Sequence, residues 1–557
     1  MKTKYIIISI IAAFMLASTS CSLDFEPQNV IKGDAVSEDN FDAMLAPMYN
    51  LYWFNFNDKF YFGLGDGMAF NLLAPGSGYI KPFCDLSVTA TSEGLQEAWN
   101  SFYITIQQSN KILIDIKNSA VIEEEKRPFL AEIRFMRGLA YWHLVSLWGN
   151  VIISEDPSGL IDNPLVNVNS QKDAYEFAIR DMEYAAKYLP ETSKSTGRIN
   201  RYSAFGMLSR FYLAYSGFVA SDYGVNPNCG TRDITYLELA KKSAEKVINN
   251  PSFQLMENYP DLFKIENNNN SESLFAFQWV PGSSAQVGWG VTNSQQRFLA
   301  CSSEITGGDA WGDYTFCPYN MISEYEPEDT IRRKATWMGY GDYYPEISKA
   351  NGGYTYMAHA SGDASTQLNV KKGVTGSNRD NPAIGTNNSG LDNYMLRLAE
   401  VYLNYAEAIL GNNASTSDAA ALTYFNAVRT RSIRPASLSA KTSIAWEDLR
   451  YERRIEFCLE GRYWYDLVAR AYYKQQEMIN YINGQDRGTV PSILFTAPNS
   501  LRINPDNDPQ IREVGTAVSG TFRLPYPEGD AIKNPKLNEP PVPYTFTEER
   551  ITDLFND

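Results

Sequence analysis

The chain has 557 residues, 44% hydrophobic and 20% charged, so it is long enough to bury a large core in about two to four domains or one large repeat-like domain. Its formal net charge of −16 argues against a nucleic-acid partner, because phosphates are held mainly by Lys and Arg. A polyanionic ligand is disfavoured but not excluded, since local basic patches survive in acidic proteins.

The N-terminus carries a targeting signal. A basic start precedes the apolar run 5–17, which is shorter than the roughly 18 residues that span a bilayer, so 1–20 is predicted to be a signal peptide. Small residues lead into Cys21 as in a bacterial lipobox, although serine replaces the usual leucine three positions earlier. We interpret Cys21 as a lipidation site and 21–36 as a lipidated tether. Ordinary signal-peptidase cleavage with a free cysteine is the alternative.

Helical periodicity recurs after the tether. Apolar residues at three- and four-residue steps predict helices over 37–48, 99–116, 129–149, 171–189, 202–215, 236–248, 394–410, 419–431 and 446–469. An early aromatic and glycine-rich stretch, YWFNFNDKFYFGLGDGMAF, followed by APGSGYIKPFC, is interpreted as exposed loop. The helix pairs keep no strict period, which predicts a mainly α fold built as an irregular TPR-like scaffold of helical pairs.

The middle of the chain has a different character. From 281 to 393, Gly, Ser, Asn, Asp and aromatic residues dominate, and helical periodicity is lost. So long an irregular region inside a folded chain is usually functional.

The segment YMLRLAEVYLNYAEAIL, 394–410, places two carboxylates, Glu400 and Glu407, on one side of its predicted helix. They rise about 10.5 Å apart at about 1.5 Å per residue, whereas glycosidase carboxyls lie about 5–5.5 Å or roughly 6.5–9.5 Å apart. Arg397 lies one turn from Glu400, where an ion pair is geometrically natural. We interpret both glutamates as structural bracing, with further partners offered by the arginines of downstream helices: Arg429, Arg431, Arg453 and Arg454.

A family resemblance begins in the same helix. LRLAEVYLNYAEA resembles the signature helix of the SusD/RagB family of outer-membrane nutrient-binding lipoproteins. Further segments resemble other motifs of that family, in family order: AEIRFMRGLAYWHLVSLWGNV, GRINRYSAFGMLSRFYL, YFNAVRTRS, ERRIEFCLEGRYWYDLV and LPYPEGDAIKNPKL. Two positions depart from the pattern, since Ile152 stands where proline is frequent and Tyr526 replaces a common isoleucine.

The resemblance implies a binding protein and not an enzyme. Family members are anchored by lipid on the outer membrane of Bacteroidota, cap a SusC-like TonB-dependent transporter, and hold a glycan or, in some relatives, peptides for import. On this basis 37–280 is an N-terminal SusD-like helical region with an early ligand loop at 55–98. The segment 281–393 is the loop-rich ligand-binding insert, and 394–557 is the C-terminal helical region with an extended tail.

A sugar site needs aromatic rings that stack on the C–H face of a pyranose, each worth about 1–3 kcal/mol if nucleobase stacking is a guide. The resemblance locates ligand residues in the early loop and the central insert, where the candidates are Asp66, Tyr79, Phe83, Trp289, Asp309, Trp311, Tyr314 and Trp337. Trp289 and Trp311 are the best platform candidates because both sit among glycines. Asp66 and Asp309 are the candidate acceptors for sugar hydroxyls. A packed core position is the alternative for each ring.

Other functions have weaker signals. His143 lies in a predicted scaffold helix and His359 stands alone in a loop, which argues against a histidine-rich metal site. GLGDG lacks the spacing of a phosphate-binding loop. A calcium ion held by loop carboxylates and a disulfide between Cys301 and Cys317 both stay undecided. A peptide-binding import lipoprotein and a surface glycoside hydrolase remain the alternatives to glycan binding.

Overall fold

Long helices make up most of the scaffold in the computed structural model. It describes residues 38–557 apart from 283–286, 289, 313–314, 360–361, 364–366, 386–387, 498–499, 505, 549 and 557. The longer helices are Glu38–Leu45, Glu93–Asn118, Glu123–Trp148, Gln171–Tyr188, Arg201–Ala220, Ile234–Ile248, Leu398–Leu410, Ala419–Ser432, Trp446–Glu456 and Tyr463–Asn483. Shorter ones are Lys81–Cys84, Gly159–Asp162, Gln296–Leu299, Ser303–Thr306, Tyr319–Ile322, Thr330–Thr336, Ala436–Ser439 and Glu528–Lys533. The predicted signal peptide, the tether and Cys21 lie outside the described residues.

Helices that are neighbours in the chain pack against each other. Helix Glu123–Trp148 packs on both Glu93–Asn118 and Gln171–Tyr188, and Arg201–Ala220 packs on both Gln171–Tyr188 and Ile234–Ile248. Each of the three middle helices in this series therefore buries apolar residues between two neighbours, which is how stacked helical pairs build one continuous core. The predicted mainly α, TPR-like architecture is confirmed.

Local sequence signals fix several helix ends. The side chains of Ser170, Asn200, Asp233 and Asp418 accept hydrogen bonds from first-turn backbone amides of the helices that follow them. At the other end of Glu123–Trp148, the chain leaves the helix through Gly149, whose φ of 76° favours glycine.

The strands that flank the insert join the two halves of the scaffold. Ser273–Phe277 pairs antiparallel with Asn393–Arg397. The helix predicted over 394–410 is therefore wrong at its start, because 394–397 is extended backbone bonded to this partner strand and the helix begins at Leu398. The other described strand pairs are Trp337–Met338 with Asn369–Val370, Tyr343–Tyr344 with Tyr354–Thr355, Ala358–His359 with Gly362–Asp363, Ser415–Thr416 with Ile444–Ala445, Thr489–Val490 with Gln510–Ile511, and Ile493–Ala497 with Ser500–Ile503.

The two glutamates of the Leu398–Leu410 helix brace the scaffold. Each faces two arginines: Glu400 faces Arg210 and Arg462, and Glu407 faces Arg232 and Arg453. Burial by itself would raise the pKa of Glu400, but its two arginines outweigh burial and lower the pKa to about 2. The pKa of Glu407 is lowered in the same way against the effect of burial. The bracing interpretation is confirmed, and of the four arginines expected downstream Arg453 is a direct partner.

Arg397 is not paired with Glu400 as the sequence suggests. Because it closes a strand and does not belong to the helix, its guanidinium instead lies 2.5 Å from Glu272, 3.0 Å from Glu456 and 2.8 Å from Glu460. Arg431 contacts Glu272 and Glu456 as well, so the carboxylates and guanidinium groups form one buried network.

The early aromatic stretch is buried, which corrects the prediction of an exposed loop. It forms the short helical turns Leu51–Trp53, Phe56–Phe60 and Gly63–Gly67, and its rings join the main hydrophobic core. A Cβ on Gly65 would lie 2.0 Å from the carbonyl carbon of Gly461, so this glycine allows two backbones to touch.

The helix predicted over 446–469 is two helices, Trp446–Glu456 and Tyr463–Asn483. The break between them contacts the turn Gly63–Gly67 through Asp66. Leu459 and Gly461 adopt φ of 63° and 67°, and both donate backbone N–H groups to Asp66, at 2.8 and 2.9 Å. Long-range contact, which periodicity does not report, therefore interrupts the helix.

Candidate ligand-binding site

The early turns and the insert are tied together beneath the candidate site. Gln295 donates from its amide to the backbone carbonyl of Asn57 at 2.9 Å and to that residue's side-chain oxygen at 3.0 Å. Arg297 lies 3.1 Å from Asp58, and Ser294 donates to the same carboxylate. The helix Gln296–Leu299 is thereby held against the buried N-terminal core.

Three aromatic rings lie together where the early loop meets the insert; we call them the aromatic platform. Phe298 lies edge-on to Trp311, with ring centroids 5.4 Å apart, and edge-on to Tyr79 at 6.5 Å. The guanidinium of Arg297 lies 4.7 Å from the ring centre of Phe298 and 5.1 Å from that of Trp311. Trp311 is 49% exposed, so part of a large ring is open to a ligand.

The backbone fixes Trp311 in place. Its N–H donates to the carbonyl of Arg297 at 2.6 Å, and the N–H of Gly312 donates to the carbonyl of Ala300 at 2.9 Å. A Cβ on Gly312 would lie 2.2 Å from the carbonyl carbon of Leu299, so only glycine fits this approach. An exposed ring on a rigidly held backbone loses little entropy when a ligand stacks on it.

The structure brings together two of the predicted site residues and leaves others undescribed. Trp311 and Tyr79, which are far apart in sequence, both contact Phe298. Asp309 is exposed two residues before Trp311. Trp289 and Tyr314 lie outside the described residues, so their predicted role stays a prediction.

Three predicted ligand residues are buried, which corrects their assignment. Asp66, Phe83 and Trp337 are each 0% exposed, so no sugar can reach them in this structure. Phe83 packs edge-on to Phe60 at 5.3 Å, and Trp337 lies in a strand paired with Val370.

Asp66 acts as an internal tie. Burial raises its pKa to about 6, while hydrogen bonds from Asn71 and from the amides of Leu459 and Gly461 oppose the rise. Its oxygens are directed at the scaffold turn and not at solvent.

Sequence reasoning missed Phe298 and Arg297. Both lie in the segment SQQRFL, which contains neither tryptophan nor glycine, the two signals used to choose ring candidates in the insert. A short apolar and basic helix of this kind carries no local sign that its ring contacts Tyr79 across the fold.

Three further features bear on metal binding, membrane spans and disulfide bonds. Within the described ranges, no group of three or more His, Cys, Asp or Glu side chains is arranged to hold a metal ion. Helices in the same part of the chain include none that is both long and apolar enough to cross a membrane. Cys317 keeps a thiol that donates to the carbonyl of Pro318 at 3.6 Å, so it forms no disulfide with Cys301.

Comparison with known proteins identifies the family. The model of the SusD family matches 252–542, and a second model, described as starch-binding associating with outer membrane, matches 29–213. A SusD-like protein of Bacteroides ovatus is 39% identical over 569 residues, covering 98% of this chain and 99% of that protein.

Solved structures agree with this assignment. A crystal structure described as being with a xylogluco-oligosaccharide is 39% identical, covers 91% of this chain and 100% of its own, and has a TM-score of 0.82. A SusD superfamily protein from Parabacteroides distasonis, 19% identical, covers 90% of this chain and 98% of its own with a TM-score of 0.67, which supports the fold alone. On both sequence and structure, this chain belongs to the SusD/RagB family.

Proposed function

We propose that this protein is a cell-surface glycan-binding lipoprotein that captures oligo- or polysaccharide and delivers it to a SusC-like TonB-dependent transporter. The observation that carries the proposal is the half-exposed ring of Trp311, held by backbone hydrogen bonds where the early loop meets the insert. The structure described with a xylogluco-oligosaccharide supports a glycan as the ligand class, since it is 39% identical to this chain.

The proposed contacts follow from the chemistry of a pyranose. Trp311 stacks on its C–H face, Phe298 packs against the tryptophan, and Tyr79 packs against Phe298. Asp309, exposed nearby, accepts hydrogen bonds from sugar hydroxyls. Trp289 and Tyr314 complete the proposed site on the sequence argument alone.

We further propose that the protein binds without hydrolysing. The paired carboxylates that first suggested hydrolysis, Glu400 and Glu407, are buried against arginines that lower the pKa of both, so neither holds a proton to donate at neutral pH. The anchoring lipid on Cys21 would hold the chain at the outer membrane, in keeping with the second matching family description.

The ring at Trp311 provides the direct test of glycan capture. Native affinity electrophoresis in gels containing xyloglucan should retard the wild type, and Trp311→Ala should lose most of this retardation because the stacking surface is gone. Tyr223→Ala is the matched control, since that ring is 38% exposed on the scaffold and lies outside the platform. Equal retardation of the wild type and Trp311→Ala across a panel of polysaccharides would contradict the platform.

Two further measurements separate the alternatives. Steady release of reducing ends from the same polysaccharides would show an enzyme, and retention of peptides in place of glycans would show a peptide importer.

For the anchor, Cys21→Ser should move the protein from the membrane fraction to the soluble fraction of the cell. A variant that stays in the membrane fraction and incorporates no labelled lipid would contradict lipidation at Cys21.

A further inference from the structure

A second cavity lies apart from the aromatic platform. It has a volume of about 600 Å³ and is enclosed by the segment 260–266, the helix Thr330–Thr336 and the strand pair that begins at Tyr343. This volume is within the range of about 300–1,000 Å³ that is usual for small-molecule sites.

Lysine side chains converge on it. Lys264, Lys334 and Lys371 all line the cavity, together with the carboxylate of Glu346, which lies 3.2 Å from the ammonium of Lys371. The ammonium groups of Lys334 and Lys371 lie 5.5 and 5.4 Å from the ring centre of Tyr344, so the two charges share one aromatic neighbour. We call this the lysine cavity.

The positive charges are incompletely neutralised by the protein, because five cationic side chains line the cavity against three carboxylates. The cations are Lys264, Arg333, Lys334, Lys349 and Lys371, and the carboxylates are Glu266, Asp342 and Glu346. Lys264 pairs with Asp261 at 2.6 Å, and Lys371 pairs with Glu346. Lys334 has no carboxylate within ion-pair distance among the residues that the structure describes. In a chain of net charge −16, this is a local basic site of the kind that survives in an acidic protein.

The electrostatics agree with this geometry. Burial lowers the pKa of Lys371, and repulsion from Lys264 and Lys334 lowers it further, against the attraction of Glu346. The pKa of Glu346 is itself lowered, because Lys371 and Lys264 outweigh its burial. An anion placed among the three ammonium groups would relieve their mutual repulsion.

The cavity also has walls that suit a sugar ring. The ring of Tyr343 is 46% exposed, and Phe263, Ile331 and Pro345 add apolar surface. Thr375 and Asn381 contribute polar groups to the lining. Apolar side chains and ammonium groups that line one cavity match a pyranose that carries an oxyanion, because the lysines meet the charge and the apolar surface meets the C–H face.

One hydrogen-bonded link connects this cavity to the helix of the platform. The backbone N–H and the hydroxyl of Thr375 both donate to the side-chain oxygen of Gln296, each at 2.7 Å, and Gln296 precedes Arg297 and Phe298. The lysine cavity and the platform are therefore neighbours on one support while sharing none of the residues that contact ligand.

From the cavity, the converging lysines and the exposed tyrosine wall, we propose that the lysine cavity is a second saccharide subsite that binds a pyranose bearing an oxyanion, either the carboxylate of a uronic acid or a sulfate ester. The proposal rests on the function proposed above only in taking a saccharide as the ligand. It predicts that this protein accepts acidic glycans or acidic substituents on a glycan.

The test compares sugars that differ in one group. Saturation-transfer NMR on the Trp311→Ala protein, in which platform binding is removed, should show binding of D-glucuronate or D-glucose 6-sulfate at millimolar concentration and much weaker transfer to D-glucose. The two acidic sugars distinguish the carboxylate from the sulfate ester. Binding should weaken as sodium chloride is raised, because partly exposed charges are screened.

Lysine variants locate the site. Lys334→Met should weaken binding of the acidic sugar about ten-fold, the value expected for loss of one charge-assisted hydrogen bond. Lys242→Met is the matched control, since that lysine is exposed on the scaffold helix Ile234–Ile248. Lys264→Met provides a second variant if Lys334→Met lowers the melting temperature.

The outcomes are decisive in both directions. Preference for an acidic sugar in the Trp311→Ala protein, lost in Lys334→Met and kept in Lys242→Met, supports the subsite even if xyloglucan retardation fails. Equal saturation transfer to glucose and to both acidic sugars would overturn the subsite, and so would an equal loss of acidic-sugar binding in Lys334→Met and Lys242→Met. Either result overturns the subsite whether or not the platform binds xyloglucan. Inorganic sulfate that competes as strongly as the sugars would reduce the cavity to a simple anion site and also overturn the proposal.

Discussion

The scaffold and the insert use their polar and aromatic residues in opposite ways. In the Leu398–Leu410 helix, Glu400 and Glu407 are buried and each is satisfied by two arginines, so their chemistry is directed inward. In the insert, the ring of Trp311 is half-exposed on a backbone fixed by hydrogen bonds. The contrast teaches that residue type alone does not reveal whether a side chain acts on a ligand; its partners must be known. A carboxylate whose oxygens are already paired with buried arginines cannot also act on a ligand.

The largest expected effect comes from breaking the scaffold network. The carboxylate of Glu456 is shared by three buried guanidinium groups, those of Arg397, Arg431 and Arg332. Glu456→Ala removes this shared partner from all three. Removing one partner of a buried charge group costs about 3–5 kcal/mol, which urea unfolding would measure.

The control for this variant is an exposed pair. Asp115→Ala removes the partner of Lys111 on the surface of helix Glu93–Asn118 and should cost about 0–1 kcal/mol. Similar losses of unfolding free energy in the two variants would remove the distinction between a buried network and surface pairs.

The next effect concerns the support of the platform. Gly312→Ala places a methyl group against the carbonyl carbon of Leu299, so the backbone must shift at a cost of about 1–3 kcal/mol. Because Trp311 precedes this position, xyloglucan affinity should fall together with stability. Gly159→Ala, where an added Cβ meets nothing within 4 Å, should change neither. Unaltered glycan affinity in Gly312→Ala would show that the platform does not need this rigid support.

A third effect is a pH dependence where scaffold and insert join. Asp392 accepts the backbone N–H of Trp279 at 3.0 Å, and burial raises its pKa to about 7 despite this bond and those from Gln278 and Asn269. The pKa of an aspartate in the unfolded chain is about 4. At pH values between this and the folded pKa of about 7, Asp392 holds a proton in the folded state that it has released in the unfolded state. This group therefore makes the free energy of unfolding fall as pH rises through that window.

The variant Asp392→Asn isolates this contribution. It removes the titration, so unfolding free energy measured from pH 5.5 to 7 should decline less than in the wild type, by about 1–2 kcal/mol over the range. Asp66, whose pKa is raised to about 6, acts in the same direction in both proteins and cancels in the comparison. If unfolding free energy changes with pH in the same way in the wild type and in Asp392→Asn, Asp392 titrates as an ordinary carboxyl.

The smallest effect is expected at the edge of the platform. Tyr79→Ala removes the ring that lies edge-on to Phe298, and such aromatic pairs contribute about 0.5–1.5 kcal/mol. Glycan affinity should therefore fall several-fold, and less than in Trp311→Ala. Calorimetric titration with a xylogluco-oligosaccharide would rank the two variants, and a larger loss at Tyr79 would place the main stacking surface in the early loop.

Sequence reasoning succeeded where structure is local. The period of apolar residues located the main scaffold helices, and the family motifs identified the fold. It failed at 394–397 and at the break before Tyr463, where strand pairing with Ser273–Phe277 and contact with Asp66 override helical periodicity.

For the proposed binding site, the sequence predicted which regions supply rings, because glycine-rich aromatic segments are recognisable wherever they fold. Only the tertiary structure decided which rings face outward. Phe83 fills space beside Gly63 and Trp337 is enclosed beside Val370, while Trp311 is held at the surface by Arg297 and Gly312. Exposure is set by contacts between residues far apart in the chain, and no local pattern of residues encodes those contacts.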